Sequence, residues 1–328
     1  MPDPYASVRV PAESSIDHRD ILDAAARIAP HAHLTPVLRS SSLDALAGCT
    51  LHFKCENLQR IGAFKFRGAC NAVFSLPPDL AARGVATHSS GNHGAALALA
   101  ARLRGIPAHV VVPENAARVK REAIARQGAR IVDCAANMAA RDAAVAEVIA
   151  ATGASLVHPF ADPRVIAGQG TVALELLRQT DGLDILVAPV GGGGLLSGCA
   201  IATRAVSPGT KLWGAEPAAA ADAHDSLREG RLITDRIPQT ICDGLRGHLA
   251  PITFAILRSH LDGIALADED EIVAAMRLLW ERLKILVEPS GAVGLAAVLR
   301  ERERFAGQRV GIVLSGGNVD LDALPWKA

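Results

Sequence analysis

The sequence predicts an α/β protein with open, mostly parallel sheets flanked by helices, and three observations carry that expectation. Between residues 85 and 151 short apolar strands alternate with alanine-rich helical stretches, which implies parallel pairing with right-handed crossovers. Residues 185–190 and 310–314 are nearly all apolar, as strands covered on both faces are. Both strands run straight into glycine-rich loops, where an open parallel sheet binds its ligands.

Residues 17–28 have helical spacing of apolar side chains, with Asp17 placed as the N-cap. Residues 34–38 read as extended, because Pro36 disfavours helix in the residue before it. A short helix over 40–47 and a strand over 50–55 lead into the loop that carries Lys65, and a helix over 68–76 is ended by Pro77-Pro78. Strands over 85–88, 108–112 and 130–134 then alternate with helices over 95–103, 117–127 and 138–151. That block, about residues 74–156, is compact enough to be a small domain; residues 1–73 and 157–328 form the large one. After His158-Pro159-Phe160 a second series begins, with a helix over 168–177, the strand 185–190 and a helix over 195–205. A strand over 212–215 ends at Glu216-Pro217. Asp268-x-x-Glu271 has the form of a capping box and opens a helix with Ile272, Met276, Leu279, Trp280 and Leu283 on one face. Glu288-Pro-Ser-Gly precedes a helix to about Arg300, and the last strand reaches Ser315-Gly-Gly-Asn318.

Composition removes several function classes. The 328 residues are 50% hydrophobic and 21% charged, ordinary for one large or two moderate domains. Lysine plus arginine (34) equal aspartate plus glutamate (34), so neither nucleic acid nor a membrane is an expected partner. The six cysteines include no Cys-x-x-Cys pair, which argues against a disulfide framework or zinc site and for a reducing compartment. Residues 1–15 carry prolines and charges, unlike a signal peptide, and no apolar run is long enough to span a bilayer. A cytoplasmic protein is expected.

The chemistry centres on Lys65, set between Phe64 and Phe66 in a chain with only 3% aromatics. An ammonium among rings is poorly hydrated, which lowers its pKa, and Arg67 adds a like charge that pushes the same way. A neutral amine is a nucleophile that bonds an aldehyde as a Schiff base. The plainer reading is a packed stem with its tip in water. The run Gly191-Gly192-Gly193-Gly194, after a buried strand and before a helix, suits a phosphate held by backbone N–H groups. It is neither a P-loop nor Gly-x-Gly-x-x-Gly in any frame, although Glu216 stands where a ribose-binding acid would in a dinucleotide site. Ser89-Ser90-Gly91-Asn92-His93-Gly94 is a second polar loop at a strand end, its histidine favoured as a structural donor over a general base. Ser315-Gly316-Gly317-Asn318 is a third. Three such loops and Lys65 suit a ligand with a phosphate, a polar ring and an aldehyde, and pyridoxal phosphate has all three.

These stretches, in this order, resemble the fold-type II pyridoxal-phosphate enzymes of the serine/threonine dehydratase and serine racemase group. The matching text is Lys54-Cys-Glu-Asn-Leu-Gln, Phe64-Lys65-Phe-Arg-Gly-Ala, Ser89-Ser-Gly-Asn-His-Gly and His158-Pro-Phe. It continues through Ala167-Gly-Gln-Gly-Thr171, Gly191–Gly194, Glu288-Pro-Ser-Gly-Ala and Leu314-Ser-Gly-Gly-Asn, covering nearly the whole chain. The resemblance implies a two-domain fold like the tryptophan synthase β subunit. It also implies Lys65 as the Schiff-base lysine with Phe64 beside the ring. Gly191, Gly192, Gly193 and Gly194 with the Leu195 amide would form the phosphate cup, Asn92 would meet the ring hydroxyl, and Ser315 would face the pyridine nitrogen. Ser89, Ser90, Gly91, Asn92 and His93 would hold the substrate carboxylate with help from Arg141. Ser90 would also be the acid/base group on the face opposite Lys65. Glu216, the Ala220 carbonyl and Asp222 resemble the divalent-cation site of racemase-like members, with oxygen ligands suited to magnesium, calcium or manganese.

The expected protein is therefore a homodimeric pyridoxal-phosphate lyase that turns L-threonine, L-serine or a related β-hydroxy amino acid into a 2-oxo acid and ammonia. A serine at position 315, where a carboxylate would keep the pyridine nitrogen charged, favours elimination over chemistry that needs a long-lived carbanion. Arg246 in Asp243-Gly-Leu-Arg246 either pairs with a second substrate carboxylate or faces solvent. The alternatives are a serine or aspartate racemase with side dehydratase activity, a 3-hydroxyaspartate dehydratase, and a non-catalytic nucleotide-binding regulator.

Overall fold

The computed structural model describes residues 16–326, apart from 90 and 117 and the side chains of 119 and 138. Its strands, in chain order, are β1 (Val37–Leu38), β2 (Thr50–Cys55), β3 (Val85–His88), β4 (Ala108–Pro113), β5 (Arg130–Cys134), β6 (Ser155–Leu156), β7 (Ile185–Pro189), β8 (Lys211–Pro217), β9 (Gly263–Ala267) and β10 (Arg309–Leu314). They form a six-stranded sheet in the order β1-β2-β10-β7-β8-β9 and a four-stranded sheet in the order β5-β4-β3-β6. Every pairing is parallel except β1 with β2. The smaller sheet draws all its strands from residues 85–156, and the larger draws all of its own from outside that range.

The helices are α1 (His18–Ile28), α2 (Ser41–Ala47), α3 (Lys65–Phe74), α4 (Pro78–Ala82), α5 (Asn92–Arg104), α6 (Arg118–Ala125), α7 (Met138–Thr152), α8 (Pro163–Gln179), α9 (Gly194–Val206), α10 (Asp222–Glu229), α11 (Pro251–His260), α12 (Glu269–Leu283), α13 (Pro289–Arg300) and α14 (Arg302–Phe305). Side chains of β7 alternate between two cores. Ile185 and Val187 join α2, α12 and α13, whereas Leu186 and Ala188 join α1, α8, α9 and α11. A sheet covered this way buries both faces, and that is why its strands are apolar throughout. No helix among the described residues is long and apolar enough to cross a membrane.

Three helices start earlier than their sequence suggests, each for a local reason. α8 begins at Pro163, capped by Asp162, whose Oδ1 accepts from Arg164 N at 2.9 Å, and it runs straight through Gly168 and Gly170. Those glycines are contact points rather than a boundary. A Cβ on Gly168 would lie 2.6 Å from Gly68 Cα, and one on Gly170 would lie 2.8 Å from Gly198 O. α8 therefore packs backbone to backbone on α3 and α9. α3 begins at Lys65, not Gly68, because Ala63 bridges to Gly316 and Phe64 N donates to Ser315 O at 3.0 Å. α5 begins at Asn92, so much of the polar loop is the first turn of a helix.

Candidate active site

The carboxyl ends of adjacent parallel strands share one edge of a sheet, and here such edges of the two sheets carry the loops singled out above. β10 delivers Ser315, its neighbour β7 delivers Gly191–Gly194, and β3 of the smaller sheet delivers Ser89. They line one cavity of about 740 Å³, together with Phe64, Lys65, Asn92, His93, Arg141 and Leu195. Of the sequence-predicted cofactor and substrate residues, only Ser90 is not placed there, because it lies outside the described residues.

Lys65 sits in the first turn of α3, its Nζ 5.2 Å from the Phe64 ring centroid and donating to Pro159 O at 2.9 Å. Burial pushes its pKa down to about 8. The like-charge help expected from Arg67 is absent. Two residues along a helix turn a side chain about 200°, so Arg67 points away from the cavity. It enters a buried cluster, donating to Glu56 Oε2 at 2.7 Å and to Glu175 Oε1 at 2.6 Å. Desolvation alone makes the amine available.

The glycine loop has the shape of an anion cup. Gly193 takes φ +85°, which favours glycine, and a Cβ on Gly192 would fall 2.4 Å from the Phe160 ring. A Cβ on Gly191 would fall 2.8 Å from Leu245 Cα. Thr253 Oγ1 donates to Gly192 O at 2.9 Å and pins the loop. α9 follows with no side-chain cap on its N-terminus, leaving its first N–H groups for an anion. These residues fit a phosphate group.

On the ring side, Asn92 Nδ2 donates to Glu288 Oε1 at 2.9 Å, and Asn318 Nδ2 donates to Asn92 Oδ1 at 2.8 Å. Asn318 Nδ2 also donates to Ile61 O at 2.7 Å, and a carbonyl only accepts, so both amides are oriented and one Asn92 N–H remains for a ligand. Glu288 also accepts from Asn318 N at 3.0 Å; burial raises it to about 7. Sequence reasoning gave this acid no role, since Glu288-Pro289 reads equally as a helix start. Ser315 Oγ donates to Ser290 O at 3.4 Å. His93 is buried with Nε2 against Val157 O at 3.1 Å, and burial, followed by the Lys65 charge, holds it neutral. Its Nε2–H is used there, as the structural reading expected. What His93 offers a carboxylate is its backbone N–H in the first turn of α5.

The cation candidates lie elsewhere. Glu216 ends β8 and accepts from Ala223 N and His224 N, each at 2.9 Å, while Asp222 opens α10 after the turn that carries Ala220. Both carboxylates are buried, and Asp222 Oδ2 has no hydrogen-bond partner. Burial and then Asp222 raise Glu216 well above the carboxylate range, and burial raises Asp222 to about 6. Two crowded acids with an orphaned oxygen suit a hard cation. No group of three or more His, Cys, Asp or Glu side chains that could hold a metal occurs among the described residues, so main-chain oxygen or water would complete the set.

Residues 28–316 match the family model described as pyridoxal-phosphate dependent enzyme. The chain belongs to that family. It is 50% identical over 310 residues to the β-hydroxyaspartate dehydratase of Paracoccus denitrificans (strain Pd 1222), covering 94% of this chain and 98% of that one. It is 48% identical to the serine racemase of Arabidopsis thaliana, covering 95% and 96%. The structure of maize serine racemase superposes with a TM-score of 0.92 at 46% identity, over 93% of this chain and 94% of that chain. Pyridoxal phosphate is thus the cofactor of this family, and the dinucleotide and non-catalytic readings fall away.

Proposed function

We propose that this enzyme dehydrates and deaminates a small β-hydroxy amino acid, giving a 2-oxo acid and ammonia. The observation that carries it is that the desolvated Lys65 amine and Ser315, a neutral hydroxyl, line the same cavity. The cofactor supplies an aldehyde that bonds the substrate amine and a ring that draws electrons from Cα. Lys65 would be the residue that bonds that aldehyde, and its freed amine would take the α-proton from its own face. Gly191–Gly194 and the Leu195 amide would hold the phosphate, and the free Asn92 N–H would meet the ring hydroxyl. Ser89, Gly91, Asn92 and His93, with Arg141, hold the α-carboxylate. Ser315 gives the ring nitrogen no carboxylate partner, which favours expelling the β-hydroxyl as the α-proton leaves. A panel of L-serine, L-threonine and 3-hydroxyaspartate isomers, assayed for 2-oxo acid and ammonia, tests the reading. Release from none of them by a yellow, cofactor-loaded protein would contradict it.

Serine racemase is the second reading, favoured by the Arabidopsis relative. Inversion needs an acid/base group on the face opposite Lys65, and Ser90 is the candidate. Ser90→Ala should abolish D-substrate turnover and leave much of the L-dehydratase rate. Interconversion of L- and D-serine faster than pyruvate formation makes racemisation the main activity.

Four further assignments go with the proposal. Residues 74–156 move as a small domain over the large one. A magnesium, calcium or manganese ion joins Glu216, Ala220 O and Asp222; EDTA then lowers the melting temperature, and adding the ion back restores it. The working form is a homodimer. Six free, buried cysteines suit a cytoplasmic setting.

A further inference from the structure

We infer that Arg246 is the specificity residue for a second carboxylate, so that the preferred substrate is a β-hydroxy amino dicarboxylic acid. Given the dehydratase reading, on which this depends, the charge balance of the cavity names the substrate class. Each acid lining the cavity is engaged. Asp142 lies 3.8 Å from His88 Nε2, Asp243 pairs with Lys120, and Glu288 accepts from Asn92 and Asn318. Of the lining guanidiniums, Arg236 pairs with Asp225. Arg141 and Arg246 have no carboxylate within 4.0 Å among the described residues. They come from different parts of the fold: Arg141 from the first turn of α7, beside the smaller sheet, and Arg246 from the loop before α11. One α-carboxylate answers one of them. A second carboxylate answers the other.

Arg246 is built to receive it. It is exposed to the cavity mouth, yet its guanidinium is held by one edge, with Nε and Nη2 donating to Thr240 O at 3.1 and 2.6 Å. That leaves the Nη1/Nη2 edge for a carboxylate taken in the two-toothed manner. The segment beneath it is fixed: Gly244 N donates to Ser290 Oγ at 3.1 Å, and Ser290 O receives Ser315. Its neighbours Leu245 and Gly247 pack on Gly191 and Gly192. Water lost from Cα and Cβ returns when the imine is hydrolysed. The net change is therefore hydroxyaspartate to the 2-oxo dicarboxylate plus ammonia, with no oxidant required.

The test compares kcat/KM of the holoenzyme for the 3-hydroxyaspartate isomers, L-serine and L-threonine, in the native protein and in Arg246→Met and Arg246→Lys. The native enzyme should favour one hydroxyaspartate isomer. Losing a charge-assisted pair predicts a drop of about 10- to 100-fold for that isomer in Arg246→Met, with L-serine within about 3-fold of native. Arg246→Lys should fall between, since it keeps the charge without the fork. Succinate should inhibit L-serine turnover in the native protein and less in Arg246→Met. Serine or threonine preferred by the native enzyme overturns the inference while leaving the dehydratase reading intact. So does an equal loss on all substrates with weakened cofactor retention, which would make Arg246 a phosphate contact. No 2-oxo acid from any substrate overturns the dehydratase reading itself.

Discussion

Asn92 and Glu288 join the two sheets: Asn92, at the start of α5, donates through Nδ2 to Oε1 of Glu288, the residue that opens α13, at 2.9 Å. The contact holds the amide proposed to meet the cofactor ring, and it does so with an acid whose folded pKa, about 7, exceeds the ordinary value of 4.5 because of burial.

A raised carboxyl gives a definite sign. The folded protein holds this proton between pH 4.5 and about 7 while the unfolded chain has released it, so stability falls as pH rises through that window. The loss is on the order of 3 kcal/mol at most. Glu288→Gln has no proton to lose, and urea unfolding should show its stability relative to native improving from pH 4.5 to 7. A constant difference across that range would mean that Glu288 is ionised throughout.

The glycine cup predicts a steric defect with a specific rescue. Gly192→Ala places a methyl 2.4 Å from the Phe160 ring, so either the ring or the loop must move. Cofactor retention in dialysis should drop sharply. Phe160→Leu in the same chain should recover part of it, giving a coupling of about 0.5–3 kcal/mol in a double-mutant cycle. Additive losses would place the defect elsewhere in the cup.

Arg67 should matter for stability through charge pairing. It is wholly buried with Lys54 and Glu56, and Lys54 Nζ donates to Glu175 Oε2 at 2.6 Å. Arg67→Met leaves two carboxylates with one cation, and breaking a buried pair this way costs about 3–5 kcal/mol. Chemical denaturation should show that loss. A change under about 1 kcal/mol would mean the cluster reorganises around water.

Much of this was legible in the chain. The strands 85–88 and 130–134 were read to the residue, because their place in a regular strand–helix alternation brackets them on both sides. The start of α8 was not, since Gly168 and Gly170 look like breakers until Gly68 and Gly198 are seen pressed against them. α11 and β9 went unanticipated; α11 opens at Ala250-Pro251 and β9 at Gly263, where local propensity says little. At the site, Lys65 and the glycine run announced themselves by composition. Glu288 did not, because its partners Asn92 and Asn318 are 196 and 30 residues away.

The central claim is that Lys65 carries the cofactor, and one measurement addresses it. Reduce the yellow holoenzyme with borohydride, digest it and map the modified peptide. The label should fall on Lys65, the lysine that lines the cavity, with its amine brought to about 8 by burial. Lys284, at the end of α12, should stay unmodified. A reduced cofactor on Lys284 or any other lysine would contradict the account.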